Sequence, residues 1–186
     1  ASFKGLLFLG AGNVQVRART LNIEEMGGLA RGMPWTAGLF LLGSAAISAL
    51  PPLNGFVSEW LTFQALLQEG TRAHGGLRLV SAGSAALLAL TSGLAAVCFA
   101  KAFGVVFLGR ARSGEAQAAR EAPRSMLVGL FVLGAACVLL GVVPGAAIRV
   151  LDGPTALVLP GHTASAVLTA RGPLVLAAGA PAGALP

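Results

Sequence analysis

Three ionisable residues stand inside apolar stretches of this sequence: Lys4, Glu59 and Lys101. A charge at the centre of a bilayer costs about 2.5–3.5 kcal/mol on the insertion scale, so such residues face a partner or a water-filled path. Glu59 is the acid among them, and it follows the run Leu50-Pro51-Pro52-Leu53-Asn54-Gly55. A carboxyl in that setting can take and release a proton under the control of burial and nearby charge. The competing reading is a carboxylate paired with a neighbouring subunit, or one at the membrane surface. Lys4 is a candidate relay on the same grounds, and its alternative is snorkelling toward the N-terminal side. Lys101 stands nine residues before Arg110. That is roughly 13 Å along a helix, from where snorkelling to a basic loop competes evenly with function.

The remaining reactive residue types offer little. Cys98 and Cys137 stand alone in apolar runs, which suits inert thiols. His74 and His162 fall in polar or Gly/Pro-rich gaps and read as loop histidines. No Ser/His/Asp set, phosphate-cradling glycine loop or Cys/His metal spacing occurs in the sequence. Catalytic, cofactor-binding and metal-binding residues are therefore expected to be absent. Any flavin, haem or iron–sulfur centre is expected on another subunit.

The elements that must hold these residues are membrane helices. Hydrophobic residues make up 55% of the 186 and charged residues 11%, and mean hydropathy is +0.80. Soluble domains carry about 25% charged residues, so lipid is the expected solvent and an all-α, polytopic transmembrane bundle the expected fold. The net charge of +6 does not point to nucleic acid, because the basic residues punctuate the gaps between apolar runs.

Four segments follow: residues 1–16, 35–68, 79–108 and 125–143. The second is too long for one straight crossing, since about 50 Å of helix exceeds a hydrocarbon core of about 30 Å. Pro51 and Pro52 remove backbone donors and break it, and Asn54 and Gly55 let the chain turn. Unwound backbone at that depth survives only inside protein or beside a wet cavity. If segment two crosses once, loops 17–34 and 109–124 share a side carrying seven arginines, against two in 69–79. A re-entrant hairpin would give five against four. The positive-inside rule prefers the single broken crossing, with the two basic loops cytoplasmic.

Five stretches carry a resemblance: F-K-G-L-L-F-L-G-A-G (3–12), E-E-M-G-G-L-A-R-G-M-P (24–34), A-I-S-A-L-P-P-L-N-G-F-V-S-E-W-L (46–61), A-K-A-F-G-V-V-F-L-G-R-A-R (100–112) and E-A-P-R-S-M (121–126). Together they resemble the antiporter-like membrane subunits of respiratory complex I, Mrp antiporters and membrane-bound hydrogenases. The L-P-P-L-N-G-F-V-S-E-W form is similar to the hydrogenase-4 and formate hydrogenlyase type. The likeness covers residues 1–145, which are taken as the C-terminal part of a proton-conducting domain. Residues 146–186 are taken as a tail, with the start of a further span.

The resemblance implies inverted helical repeats, each with one broken helix, and a proton path of lysines, histidines and glutamates near mid-membrane. Lys4 matches the lysine of the family's H-A-x-F-K motif, whose histidine falls before Ala1. Glu59 matches the acidic or lysine position after the broken helix. The chain reads as cut at its N-terminus, with the first repeat missing. The implied function is proton translocation in a respiratory-type oxidoreductase complex, of the hydrogenase-4/formate hydrogenlyase or NADH:quinone oxidoreductase kind. The implied partners are the lipid bilayer, other membrane subunits and a peripheral redox arm, a hydrogenase or quinone reductase. A subunit of an Mrp-type Na+/H+ antiporter is the alternative, and a membrane anchor that carries no ions is a third.

Overall fold

A computed structural model describes residues 2–72, 75–150, 153–154 and 157. His74, His162 and most of the tail expected at 146–186 lie outside them. The described residues form helices α1 (Ser2–Ala18), α2 (Pro34–Ile47), α3 (Asn54–Arg72), α4 (Gly76–Phe107), α5 (Gly114–Ala118), α6 (Arg124–Val142) and α7 (Pro144–Val150). Short 3-10 turns at Ile23–Glu25 and Leu29–Arg31 interrupt the first loop, and no strand occurs among the described residues. Helix α7 straddles the boundary expected after residue 145, and α5 forms inside a segment read as irregular.

Helices α4, of 32 residues, and α6, of 19, are each long and apolar enough to cross a bilayer. Helix α2 is apolar but has only 14 residues, about 21 Å of rise. It must be continued by α3 to complete a crossing.

The junction between them has an ordered backbone. The Leu50 N–H donates to Ala45 O at 3.0 Å and the Ala49 N–H to Ala46 O at 3.3 Å, with Ala49 left-handed at φ 53°. That is a Schellman end, with alanine where glycine is usual. Pro51 and Pro52, joined by a cis peptide bond, cannot extend the helix, and α3 starts at Asn54. Leu50, Pro51 and Pro52 are exposed, while Leu53 and Gly55 are buried in close contacts. A Cβ at Gly55 would overlap Ala46 O, and one at Gly141 of α6 would overlap Pro52 O and lie 2.6 Å from Leu53 C.

Around this junction α1 packs on α2 and α6, while α4 and α6 each pack on both halves of the broken helix. Small residues set the spacing, as expected where lipid supplies no hydrophobic drive between helices. A Cβ at Gly10 would stand 3.0 Å from Phe40 Cδ2, and one at Gly134 2.9 Å from Leu39 Cδ2. An apolar cluster of Val14, Ala18, Met26, Leu29, Met33 and Phe107 closes the basic end. A second, of Leu6, Leu130 and Cys137, lies deeper.

At the basic end the loops before α2 and after α4 clasp each other. The Gly28 N–H donates to Leu108 O at 2.9 Å. Gly27 and Gly28 have φ of 138° and 64°, and their Cα atoms press on the 109–111 backbone. Glycine is required there for conformation and for space alike. In the same region the Thr20 hydroxyl, then the Asn22 amide, bond the exposed Glu25 carboxylate and lower its pKa.

The clasp settles the path of the second segment. Helix α2 starts at the basic end and α4 finishes there, and α4 is one unbroken helix returning from the end of α3. The broken pair α2–α3 therefore covers once the distance that α4 covers. It is a single interrupted crossing rather than a re-entrant hairpin, and loops 19–33 and 108–123 share a side.

Candidate functional site

Glu59 lies in α3, five residues past the N-terminal Asn54. It is half-buried and its Oε1 makes a short hydrogen bond with the Ser92 hydroxyl of α4. Ser92 stands at the middle of the 32-residue α4. The carboxyl is thus at the mid-depth of the helix that spans the whole bundle, and not at either mouth. The Ser92 hydroxyl also lies 2.9 Å from Leu88 O, one turn back on α4. Phe56 and Trp60 stack at 6.1 Å between centroids along the same stretch of α3.

Lys4 sits near the level of the break, because Asn54 Nδ2 at the start of α3 donates to Ser2 Oγ at 2.9 Å. Lys4 is exposed and lines a cavity of about 400 Å³ with Leu7, Phe8, Ala11, Phe40, Ile47 and Phe99. These come from α1, α2 and α4, and apart from Lys4 the lining is apolar. Lys101 is exposed on α4, six residues before its C-terminal Phe107 and so near the basic end. The three ionisable residues occupy three levels rather than one cluster. Along the bundle, Lys4 and Glu59 are on the order of 10 Å apart, and Lys101 about 13 Å from Ser92.

Three polar residues that sequence reasoning passed over belong to this description. Ser92 was hidden because only ionisable residues were sought within apolar runs. A Thr-Ser pair amid A-L-L-A-L and G-L-A-A-V was the available signal. Asn13 is 1% exposed, and neither amide atom has a hydrogen-bond partner among the described residues. It lies on α1 about 13 Å from Lys4 toward the basic end.

Glu121 is the third. Its carboxylate accepts from the Trp35 N–H at 2.9 Å, the Thr36 N–H at 3.4 Å and the Thr36 hydroxyl at 2.6 Å. It thereby caps α2 from a distant loop. The motif E-A-P-R-S-M contained it, but nothing local in the sequence ties it to α2.

Among the described residues no group of three or more His, Cys, Asp or Glu side chains could hold a metal ion. The arrangement is a carboxyl beside a hydroxyl at the mid-depth of α4, shortly past the helix break.

Comparison with known proteins follows the same lines. Residues 1–98 match a family described as NADH:quinone oxidoreductase/Mrp antiporter, TM. The chain is 49% identical over 140 residues to hydrogenase-4 component B of Escherichia coli K12, covering 75% of this chain and 21% of that protein. It is 42% identical over 140 residues to formate hydrogenlyase subunit 3 of the same organism, covering 75% and 23%. Among solved structures, a chain of the membrane-bound sulfane sulfur reductase, an archaeal respiratory membrane complex, superposes with a TM-score of 0.68 at 28% identity. That match covers 81% of this chain and 23% of the other. The chain thus spans about a fifth of the length of the relatives it matches.

Proposed function

The chain belongs to the NADH:quinone oxidoreductase/Mrp antiporter transmembrane family, and from that premise we propose that it is part of a proton-translocating membrane subunit of a respiratory-type oxidoreductase complex. The hydrogenase-4 and formate hydrogenlyase kind is favoured, because two proteins so named are 49% and 42% identical to it. Residues 1–145 are the part of the conducting domain present here. The redox chemistry belongs to a peripheral arm on a partner subunit, and further membrane subunits complete the path.

One observation carries the reading: Glu59 meets Ser92 at the mid-depth of α4, just past a helix break that α6 touches through Gly141. Lys4 is the central relay, with its ammonium at the apolar groove in want of a partner from outside the described residues. Glu59 is the group that releases protons on the side opposite the basic loops. Lys101 is the entry group nearest those loops, which face the cytoplasm across a bacterial inner membrane. Asn13, buried with an unsatisfied amide, supports a hydrated interior, since such a group is ordinarily satisfied by water.

The test is Glu59→Gln in the full-length protein within its complex, assayed for redox-driven proton pumping in membrane vesicles. Pumping is expected to fall at least tenfold while the peripheral redox activity remains. Unchanged pumping would remove the assigned role. A sodium/proton antiporter subunit is the second reading, because the same family spans both kinds. Sodium-driven proton exchange in vesicles without a redox donor would favour it.

A further inference from the structure

The Ser92 hydroxyl is within hydrogen-bonding reach of two acceptors, Glu59 Oε1 and Leu88 O, the latter at 2.9 Å. A serine hydroxyl carries one hydrogen and two lone pairs, and an ionised carboxylate has no hydrogen to give. With Glu59 ionised, the two acceptors compete for the one hydroxyl hydrogen, and one of the contacts is weakened. With Glu59 protonated, the carboxyl O–H donates to Ser92 Oγ while Ser92 O–H donates to Leu88 O, and both contacts are made.

We propose that Ser92 is a positioning residue for the Glu59 proton: its hydroxyl points at Leu88 O when Glu59 is loaded and turns to the carboxylate when Glu59 is emptied. The proposal rests on the reading of Glu59 as a loading group and names the device that holds it in both states. No bond other than hydrogen bonds changes at Ser92. The transported proton leaves from the Glu59 carboxyl, and Ser92 keeps its own hydrogen throughout. One rotation about the serine side-chain torsion replaces the lost donor, so the emptied carboxylate is not left without a partner at mid-depth. A buried charge without a hydrogen bond is the costlier state.

The helices packed around this pair carry the following other titratable residues. Helix α3 packs on α4, α6 and α2. Helix α4 carries Arg78, Cys98 and Lys101, α6 carries Arg124 and Cys137, α2 carries none, and α3 itself carries Glu69 and Arg72 near its end. Lys101 is about 13 Å along α4 from Ser92 and half a turn round, and Arg78 about 20 Å the other way. Cys137 is enclosed with Leu6 and Leu130.

The experiment uses the full-length protein in its complex, with Ser92→Ala and Ser92→Thr. Two quantities are read: the pH profile of proton transport, and the infrared carbonyl band of protonated Glu59, identified as the band lost in Glu59→Gln. Ser92→Ala should slow transport about tenfold, the order of one lost hydrogen bond to an ionisable group. It should also displace both the pH midpoint and the band. Ser92→Thr, which keeps the hydroxyl, should restore all three. If Ser92→Ala leaves the band unmoved, or if Ser92→Thr does not bring it back, the positioning role is overturned. The band decides this whatever the transport result. A moved band with Glu59→Gln pumping at the normal rate would instead sink the transport reading and leave the hydrogen-bond switch standing.

Discussion

Glu121 completes an account of backbone donors at the start of α2. Pro34 has no N–H, Ala37 already donates to Met33 O at 2.9 Å, and the two amides left over, Trp35 and Thr36, both go to the Glu121 carboxylate. Met33, at the cap position, contributes no side-chain bond. A negative group at a helix N-terminus also meets the positive end of the helix dipole. Glu121→Ala in the full-length protein is expected to lower stability by about 2 kcal/mol, the sum of a lost cap and a lost charge-assisted bond. Glu121→Gln, which keeps one acceptor, is expected to lose about half of that. Denaturant titration of the detergent-solubilised protein measures both, and equal stability of all three forms would refute the capping role.

Scale changes from side chain to element at the interrupted helix. The prolines end α2, yet they do not dictate where the unwound backbone goes. That is decided by Gly55 against Ala46 and by Gly141 against Pro52, Leu53 and Asn54. Helix α6 thus backs directly on the peptide groups of Pro52 to Asn54 on one side of the break, while Leu50, Pro51 and Pro52 are exposed on the other. Gly141→Ala would drive a methyl into those groups and is expected to reduce stability by about 1–3 kcal/mol, the usual penalty for overpacking. It should also impair proton transport by shifting the start of α3 and with it Glu59. Thermal unfolding of the full-length protein, read beside vesicle pumping, checks this. A variant with wild-type melting and pumping would show that the close approach is not needed.

At the scale of the whole molecule, the clasp joins the two basic loops at one end of the bundle, and α3–α4 reach the other. Large apolar residues on α4 such as Leu79, Leu87, Leu90, Leu94 and Val97 are exposed. That face suits lipid or a neighbouring membrane subunit. Single cysteines placed at Leu21, Arg112 and Leu77, in a background without Cys98 and Cys137, test the arrangement with a membrane-impermeant maleimide. Leu21→Cys and Arg112→Cys should react only from the cytoplasmic face, and Leu77→Cys only from the opposite one. Labelling of Leu21→Cys and Arg112→Cys from different faces would contradict the clasp. Labelling of both from the outer face would reverse the orientation alone.

Much of this protein was open to reading in one dimension because lipid imposes one-dimensional rules. Apolar run length, proline position and arginine spacing each act locally, and they announced the helices, the break at residues 50–55 and the shared side of the two basic loops. Lys4, Glu59 and Lys101 stood out for the same reason, as charges in apolar runs. What the chain does not spell out is which distant groups meet. Ser92 comes to Glu59 across 33 residues, Glu121 to Thr36 across 85, and Gly141 to the break from another helix. Hydrogen bonds and close packing are short-ranged and depend on how helices rotate and cross. Only the assembled bundle decides that Glu59 meets a hydroxyl at mid-depth rather than lipid or a lysine.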